Sequence, residues 1–420
     1  MFQELELDLT DGDAVPNYEA ILNRYSRLTI DEMLGDKFDD AVADLPSGAL
    51  LLKAMSDRGL TGYQVVRGEN VKSVDTNRPM AQKCVVFTRF PVIRAISHPT
   101  FSARAVQEVQ IEVDGQLLYL FNNHWKSGAS STKTEPTRVK NAQTLRTRLD
   151  EILKIDPHAD IILGGDFNSQ YNQKVRYKKM KPTALNDVLG SQGNELAIRG
   201  KKRDLYNLWF ELPAKERGSD TYRGEWGTLM QMILTRGLYD LRGVQYVDNS
   251  FGVAKIPDLN IDDKGLPIRW SFDGERGRGY SDHFPIFAKF ITVSDDRADR
   301  YISLRNPSED TGLASRNMID YSEIPLEKIA MTMDRVPEDS SLRQVKLIGK
   351  IVRVEGKVAK GSRLKVVLRN DVYDIWSFSK KLRTKLREDF KAGDTMRFYG
   401  ELNRYKGRWQ FIVRDASWVK

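Results

Sequence analysis

Carboxylates, imidazoles and an amide stand at the ends of several apolar runs in this sequence. Leu163-Gly164-Gly165-Asp166-Phe167-Asn168 ends in an acid and an amide two residues apart. On an extended strand such residues project to one side, so Asp166 and Asn168 are expected to address one oxygen together. Gly279-Tyr280-Ser281-Asp282-His283-Phe284-Pro285 sets a carboxylate beside an imidazole, with Asp282 expected to face a metal ion and His283 a water molecule. Phe121-Asn122-Asn123-His124-Trp125-Lys126-Ser127 carries a second histidine at a strand end, and Phe2-Gln3-Glu4 a carboxylate at the end of the opening strand. Oxygen ligands of this kind suit a hard divalent cation, and imidazoles supply proton transfer. Taken singly, each has a plain structural reading: a turn, an interior histidine, a solvated strand end. The sequence has only four histidines, however, and two of them fall in these segments; His98 and His158 do not, and read as structural or surface residues.

The elements that must position these residues form a layered pattern. Residues 1–292 alternate apolar strands with helical segments, which predicts an α/β domain. The clearest strands are Cys84–Phe87, Val109–Val113, Leu117–Asn122, Asp160–Leu163 and Met232–Leu234. Thr137–Leu153 has apolar residues near helical spacing with basic residues opposite, so it is expected to pack on the sheet. Residues 293–325, rich in Asp, Arg, Ser and Asn, read as a linker.

Beyond the linker the pattern changes. Strands are expected at Val345–Val354, Leu364–Leu368 and Val372–Phe378, then a helix over Lys381–Phe390, then strands at Met396–Leu402 and Trp409–Val413. This arrangement over residues 326–420 resembles a small OB-fold barrel, a scaffold that binds oligonucleotides. Tyr373, Trp376, Tyr405 and Trp409 lie among many Lys and Arg, the mixture that stacks bases and neutralises phosphates.

Charge is divided in the same way. Residues 341–420 hold 21 Lys and Arg against 8 Asp and Glu, whereas the rest of the chain is slightly acidic within a total of +8. Attraction to a polyanion is thus concentrated in one module, with a merely solvated basic face as the alternative. The single cysteine, Cys84, rules out an internal disulfide and a multi-cysteine metal site. No apolar stretch is long enough to span a membrane.

In order, Gln-Glu, His-Trp-Lys-Ser, Gly-Asp-Phe-Asn and Ser-Asp-His-Phe-Pro resemble the motifs of the endonuclease/exonuclease/phosphatase superfamily over residues 1 to about 290. The resemblance implies a four-layered α/β sandwich of two packed mixed sheets flanked by helices, with Mg²⁺ or Mn²⁺ bound at one edge and water attacking phosphorus in line. It implies Glu4 as the metal-binding carboxylate with Asp282 in support, Asp166 orienting or activating the water, and Asn168 holding the phosphate. His283 takes the place of the general base or a transition-state contact, and His124 that of the second catalytic histidine. Arg104 and Lys126 are expected to contact substrate, with a supporting role equally open for Arg104.

Two departures stand out. The family's asparagine-bearing first strand has no counterpart here, so the sheet is expected to lack an edge strand and the N-terminus reads as truncated, leaving a targeting segment and the cellular location open. Met230 stands where the family has the aspartate that orients the active-site histidine, and methionine accepts hydrogen bonds only weakly. The expected activity is nucleolytic, on DNA or RNA. A lipid or small phosphoester substrate, or a catalytically weak nucleic-acid-binding protein, is the alternative, and the oligomeric state is open.

Overall fold

The computed structural model describes residues 1–6, 17–35, 37–67, 82–195, 205–257, 259–269, 279–293, 316–333, 336 and 347–420. The chain divides into two compact units, residues 1–219, 227–254 and 285–317 forming the first and residues 220–226, 255–284 and 318–420 the second.

In the first unit, period-two alternation of apolar residues feeds two separate cores. A three-stranded antiparallel sheet, β1 (Phe2–Glu6), β2 (Gln64–Arg67) and β3 (Gln82–Thr88), has the order β1-β3-β2. A seven-stranded mixed sheet contains β4 (Val92–His98), β5 (Val106–Val113), β6 (Gln116–His124), β7 (Asp160–Asp166), β8 (Ser191–Gln192), β9 (Leu205–Asn207) and β10 (Met230–Leu234). Its order is β4-β5-β6-β7-β10-β9-β8, with β6–β7 and β8–β9 parallel. Leu118 and Leu120 of β6, Ile162 of β7 and Met232 and Leu234 of β10 join Val66 and Val86 of the small sheet in one core. Phe121, Ile161, Leu163 and Ile233, on the opposite face, pack with Leu145, Leu149 and Ile152 in the other. Each such burial is worth about 1.5–3 kcal/mol relative to exposure.

Leu145, Leu149 and Ile152 belong to a helix that runs from Glu135 to Ile155, two residues longer at each end than its spacing predicts. Short helices α1 (Tyr18–Arg24), α2 (Ile30–Leu34), α3 (Asp40–Ala43) and α4 (Ser47–Asp57) form the outer layer, with α4 against β1. The long helix is α5. Helices, small sheet, large sheet and α5 make the four layers that the motif order implies.

In the second unit, β11 (Ile351–Val358), β12 (Lys365–Leu368), β13 (Asp371–Trp376), β14 (Thr395–Tyr405) and β15 (Arg408–Ile412) run in the order β11-β12-β13-β15-β14. β14 pairs back to β11 and β13 lies parallel to β15, closing a five-stranded barrel of OB-like connectivity. Helix α6 (Lys380–Asp389) joins β13 to β14. Val352, Val354, Val366, Ile375, Phe398, Phe411 and Trp418 fill the barrel.

The strand expected at Val345–Val354 is shifted. Residues 347–350 form a turn in which Gly349 takes a left-handed φ of 81°, so the strand starts at Ile351. Residues 345–346 lie outside the described residues. So do residues 294–315, most of the expected linker, while residues 318–325 belong to the second unit. Residues 255–284, expected with the catalytic domain, also belong to the second unit. There Lys264 Nζ bonds the Gly349 carbonyl and ion-pairs with Asp262, while Lys350 pairs with Asp263. Among the described residues no helix is long and apolar enough to cross a membrane.

Candidate active site at the ends of the parallel strands

Strands β6 and β7 run parallel and end together, with His124 opposite Asp166. Their approach requires glycine. Gly165 takes a φ of 124°, and a Cβ there would stand 2.2 Å from the Asn123 carbonyl oxygen. The chain then leaves β7 through Asn168, whose φ of 46° is left-handed, a conformation asparagine tolerates better than most residues. The Asn168 amide donates to Asp166 Oδ1 at 2.8 Å, and its Nδ2 donates to Asp166 Oδ2 at 3.0 Å and to the Trp125 carbonyl at 3.1 Å. Strand alternation therefore does not bring Asp166 and Asn168 together; a turn beyond the strand does.

His124 lies between charges of both signs. Its Nδ1 is 3.0 Å from Arg104 Nη1 and 3.6 Å from Glu4 Oε1, and its Nε2 is 3.5 Å from Asp166 Oδ2. Nδ1 also lies 3.4 Å from the Gln3 carbonyl; because the nearer guanidinium only donates, a neutral ring accepts at Nδ1 and carries its proton on Nε2, facing Asp166. Arg104 Nη2 reaches Glu4 Oε1 at 3.0 Å. Glu4 is brought here by β1, which Asn122 fastens by donating to the Phe2 carbonyl and accepting from Gln3 Nε2, both at 2.9 Å. His124 and Asp166 are buried, whereas the Glu4 side chain is 60% exposed. A desolvated imidazole and carboxylate thus adjoin a wet carboxylate.

Helix α5 holds the surrounding loops. Arg138, fully buried, is paired with Glu135 and donates to the Lys126 and Ser127 carbonyls at 3.1 and 3.3 Å. Asn141 accepts from the Lys126 amide and donates to the Phe101 carbonyl. The segments after His124 and before Arg104 are thereby held from one helix turn, and Lys126 is left half-buried.

Asp282 and His283 belong to the second unit. His283 Nε2 is 3.6 Å from Asp282 Oδ1, and the His283 amide bonds Ser281 Oγ. Phe284 beside them is buried against Trp226, with Lys255 Nζ over both rings. On the barrel, Tyr405 is exposed, Trp409 lies under Arg404, and Trp376 lies under Arg383. Tyr373, expected to stack on bases, faces the barrel core instead: its ring packs edge-on against Phe411 and its hydroxyl accepts the Val336 amide.

Residues 74–292, more than half the chain, match the Endonuclease/Exonuclease/phosphatase family. The chain belongs to that family. No curated protein matches the sequence. Among solved structures, humanized D. rerio TDP2 carrying 14 mutations is similar over 58% of this chain and 82% of that one, at 17% identity and a TM-score of 0.36. The human Nocturnin catalytic domain with bound sulfate is similar over 56% and 74%, at 16% identity and 0.35. An endonuclease/exonuclease/phosphatase family protein from Bacteroides thetaiotaomicron is similar over 70% and 95%, at 13% identity and 0.36.

Membership makes the chain, at the level of the family, a metal-dependent hydrolase of phosphate esters of the phosphodiesterase and nuclease kind. The donor set at His124 fits a hard divalent cation: Glu4 offers a solvent-facing carboxylate and Asp166 a second one, with no thiolate in the group. A further acidic group went unnoticed in the sequence. Glu195, Glu211 and Asp248 bring carboxylate oxygens within 4.8 Å of one another. Burial, opposed by a bond from Tyr246 and reinforced by the charges of Asp248 and Glu195, pushes the Glu211 carboxyl up to about 8. A carboxyl that keeps its proton at neutral pH is a poor cation ligand. Gln231, next to Met230, spends its side chain on the Ser169 and Thr228 carbonyls and on Asn207.

Proposed function

We propose that the chain is a divalent-metal-dependent nuclease that hydrolyses phosphodiester bonds of DNA or RNA, with water attacking phosphorus in line. The placement of His124 between Arg104 and Asp166 carries this reading, with its Nε2 proton directed toward a buried carboxylate. Glu4 would hold Mg²⁺ or Mn²⁺, which when bound polarises a phosphoryl oxygen and offsets the charge that develops on it. Asp166, fixed by two N–H donors from Asn168, orients the water and takes its proton. His124 donates a hydrogen bond from Nε2 to a phosphoryl oxygen or the departing oxygen and stabilises the charge that develops there. The family motif assigns Asp282 a supporting-ligand role and His283 a contact with the transition state; both belong to the second unit. Arg104 keeps Glu4 and His124 in register.

The basic barrel favours a polymeric substrate. Tyr405 and Trp409, each with a cation over its ring, supply stacking surfaces beside positive charge. The test of the chemistry is hydrolysis of a chromogenic phosphodiester in Mg²⁺ or Mn²⁺. His124→Ala should lower kcat about 10²- to 10³-fold with an unchanged circular dichroism spectrum. Wild-type turnover in His124→Ala and Asp166→Asn would remove both from the mechanism.

A further inference from the structure

The barrel has a cleft that the stacking hairpin does not explain. It is a shallow cleft where the start of β12, the end of β13 and helix α6 meet, lined by Arg363, Trp376, Ser377, Arg383, Leu386 and Arg387. Trp376 pairs with Ile412, at the opposite end of β15 from Arg408 and Trp409, so the cleft is set apart from the β14–β15 hairpin that carries Tyr405.

Three arginines line it, and the lining contains no carboxylate. Arg383 is held in place twice: its guanidinium stacks 4.3 Å from the Trp376 ring centre, and Nη1 donates to the Ser377 carbonyl. That leaves four of its five N–H donors, already ordered, so a ligand meets little further entropy cost at this side chain. Arg363, just before β12, and Arg387, on α6, also line it and are both exposed, with no ion pair to either among the described residues. Clustered like charges with no counter-charge repel one another, and the repulsion is relieved by an anion.

The number of charges indicates which anion. A diester within a strand carries one negative charge, whereas a phosphate monoester carries close to two near neutral pH and offers three acceptor oxygens to planar, forked donors. We infer that the cleft formed by Arg363, Arg383, Arg387 and Trp376 binds a phosphate monoester, the terminal phosphate of a nucleic-acid strand. The inference rests on the nucleic-acid reading of the barrel and adds to it a preference for phosphorylated ends.

The test is fluorescence anisotropy with the full chain in EDTA, to hold cleavage off, using one short single-stranded DNA with a 5′ phosphate, a 3′ phosphate or hydroxyls at both ends. One phosphorylated form should bind at least about tenfold more tightly than the hydroxyl form. Arg363→Gln/Arg387→Gln, at exposed positions, should abolish that difference, whereas Tyr405→Ala/Trp409→Ala should weaken all forms together and preserve it. Millimolar inorganic phosphate should erase the difference without releasing the strand. Equal binding of all three forms by the wild type would overturn the inference and leave the nucleic-acid reading intact. No binding of any form would sink that reading itself. A thermal shift with inorganic phosphate alone, lost in the double arginine variant, would then reassign the cleft to free phosphate and overturn the strand-end inference.

Discussion

Arg104 is bonded to Glu4 and to His124 through different nitrogens of one planar fork, a geometry that lysine cannot reproduce. Arg104→Lys should keep the local charge and lose the alignment, lowering kcat roughly 10- to 100-fold. Steady-state kinetics on a small phosphodiester checks this; an effect confined to KM would make Arg104 a substrate contact instead. At this scale the motifs singled out Glu4, His124, Asp166 and Asn168, whose side chains the fold gathers, because each sits in a distinctive local string. The reason Asp166 and Asn168 meet was not legible, since an extended reading passes over the left-handed turn at Asn168. Tyr373 was misplaced because aromatic composition does not tell which face of a barrel strand a ring takes. Glu195, Glu211 and Asp248 share no string at all, and only the packing of distant segments brings them together.

Among the elements, the β6–β7 junction is the most exacting. Gly165→Ala would drive a Cβ into the Asn123 carbonyl at a positive φ, and should cost more than about 2 kcal/mol and displace His124 from Asp166. Urea denaturation measures the cost, and an unchanged midpoint would mean that the strands part without penalty. Glu108, buried on β5, provides a second case. Burial works against its charge, but bonds from His98, Arg148 and Gln110 hold its carboxyl down to about 2. Its folded value lies below the ordinary one, so its contribution is present above about pH 4.5 and is lost as pH falls toward 2. Glu108→Gln leaves Arg148 without its main partner and should destabilise the protein by about 3–5 kcal/mol near neutral pH. The gap from wild type should narrow in acid melts. The layers and α5 were legible because period-two and helical spacing persist over long runs. The start of β11 was not, because the turn at Gly349 sits inside an apolar stretch.

Over the whole molecule, pH and salt act on different units. Glu211, raised to about 8 chiefly by burial, keeps in the folded state a proton that the unfolded chain releases above about 4.5. Its contribution therefore falls as pH rises through that window, by on the order of a few kcal/mol. Melting temperatures from pH 5 to 8 should decline less steeply in Glu211→Gln than in wild type; parallel curves would refute the assignment. Binding of single-stranded DNA should weaken steeply with added salt, as phosphate neutralisation by the basic barrel requires. Tyr405→Ala/Trp409→Ala should cost about 1–3 kcal/mol per lost stack with little change in the salt slope. The charge division of the sequence already pointed to the barrel, whereas residues 255–284 join that unit through contacts between distant segments, Lys264 with Gly349 and Lys350 with Asp263 among them, that no composition reveals.

The central claim is most directly tested by incubating labelled single- and double-stranded DNA and RNA with the purified chain in Mg²⁺ and Mn²⁺, with EDTA and Asp166→Ala as controls. Cleavage of at least one polymer that requires the metal and is lost in Asp166→Ala is the predicted result. Absence of cleavage of every polymer, with a small phosphodiester still hydrolysed, would contradict the nuclease reading and move the substrate to a lipid or small phosphoester.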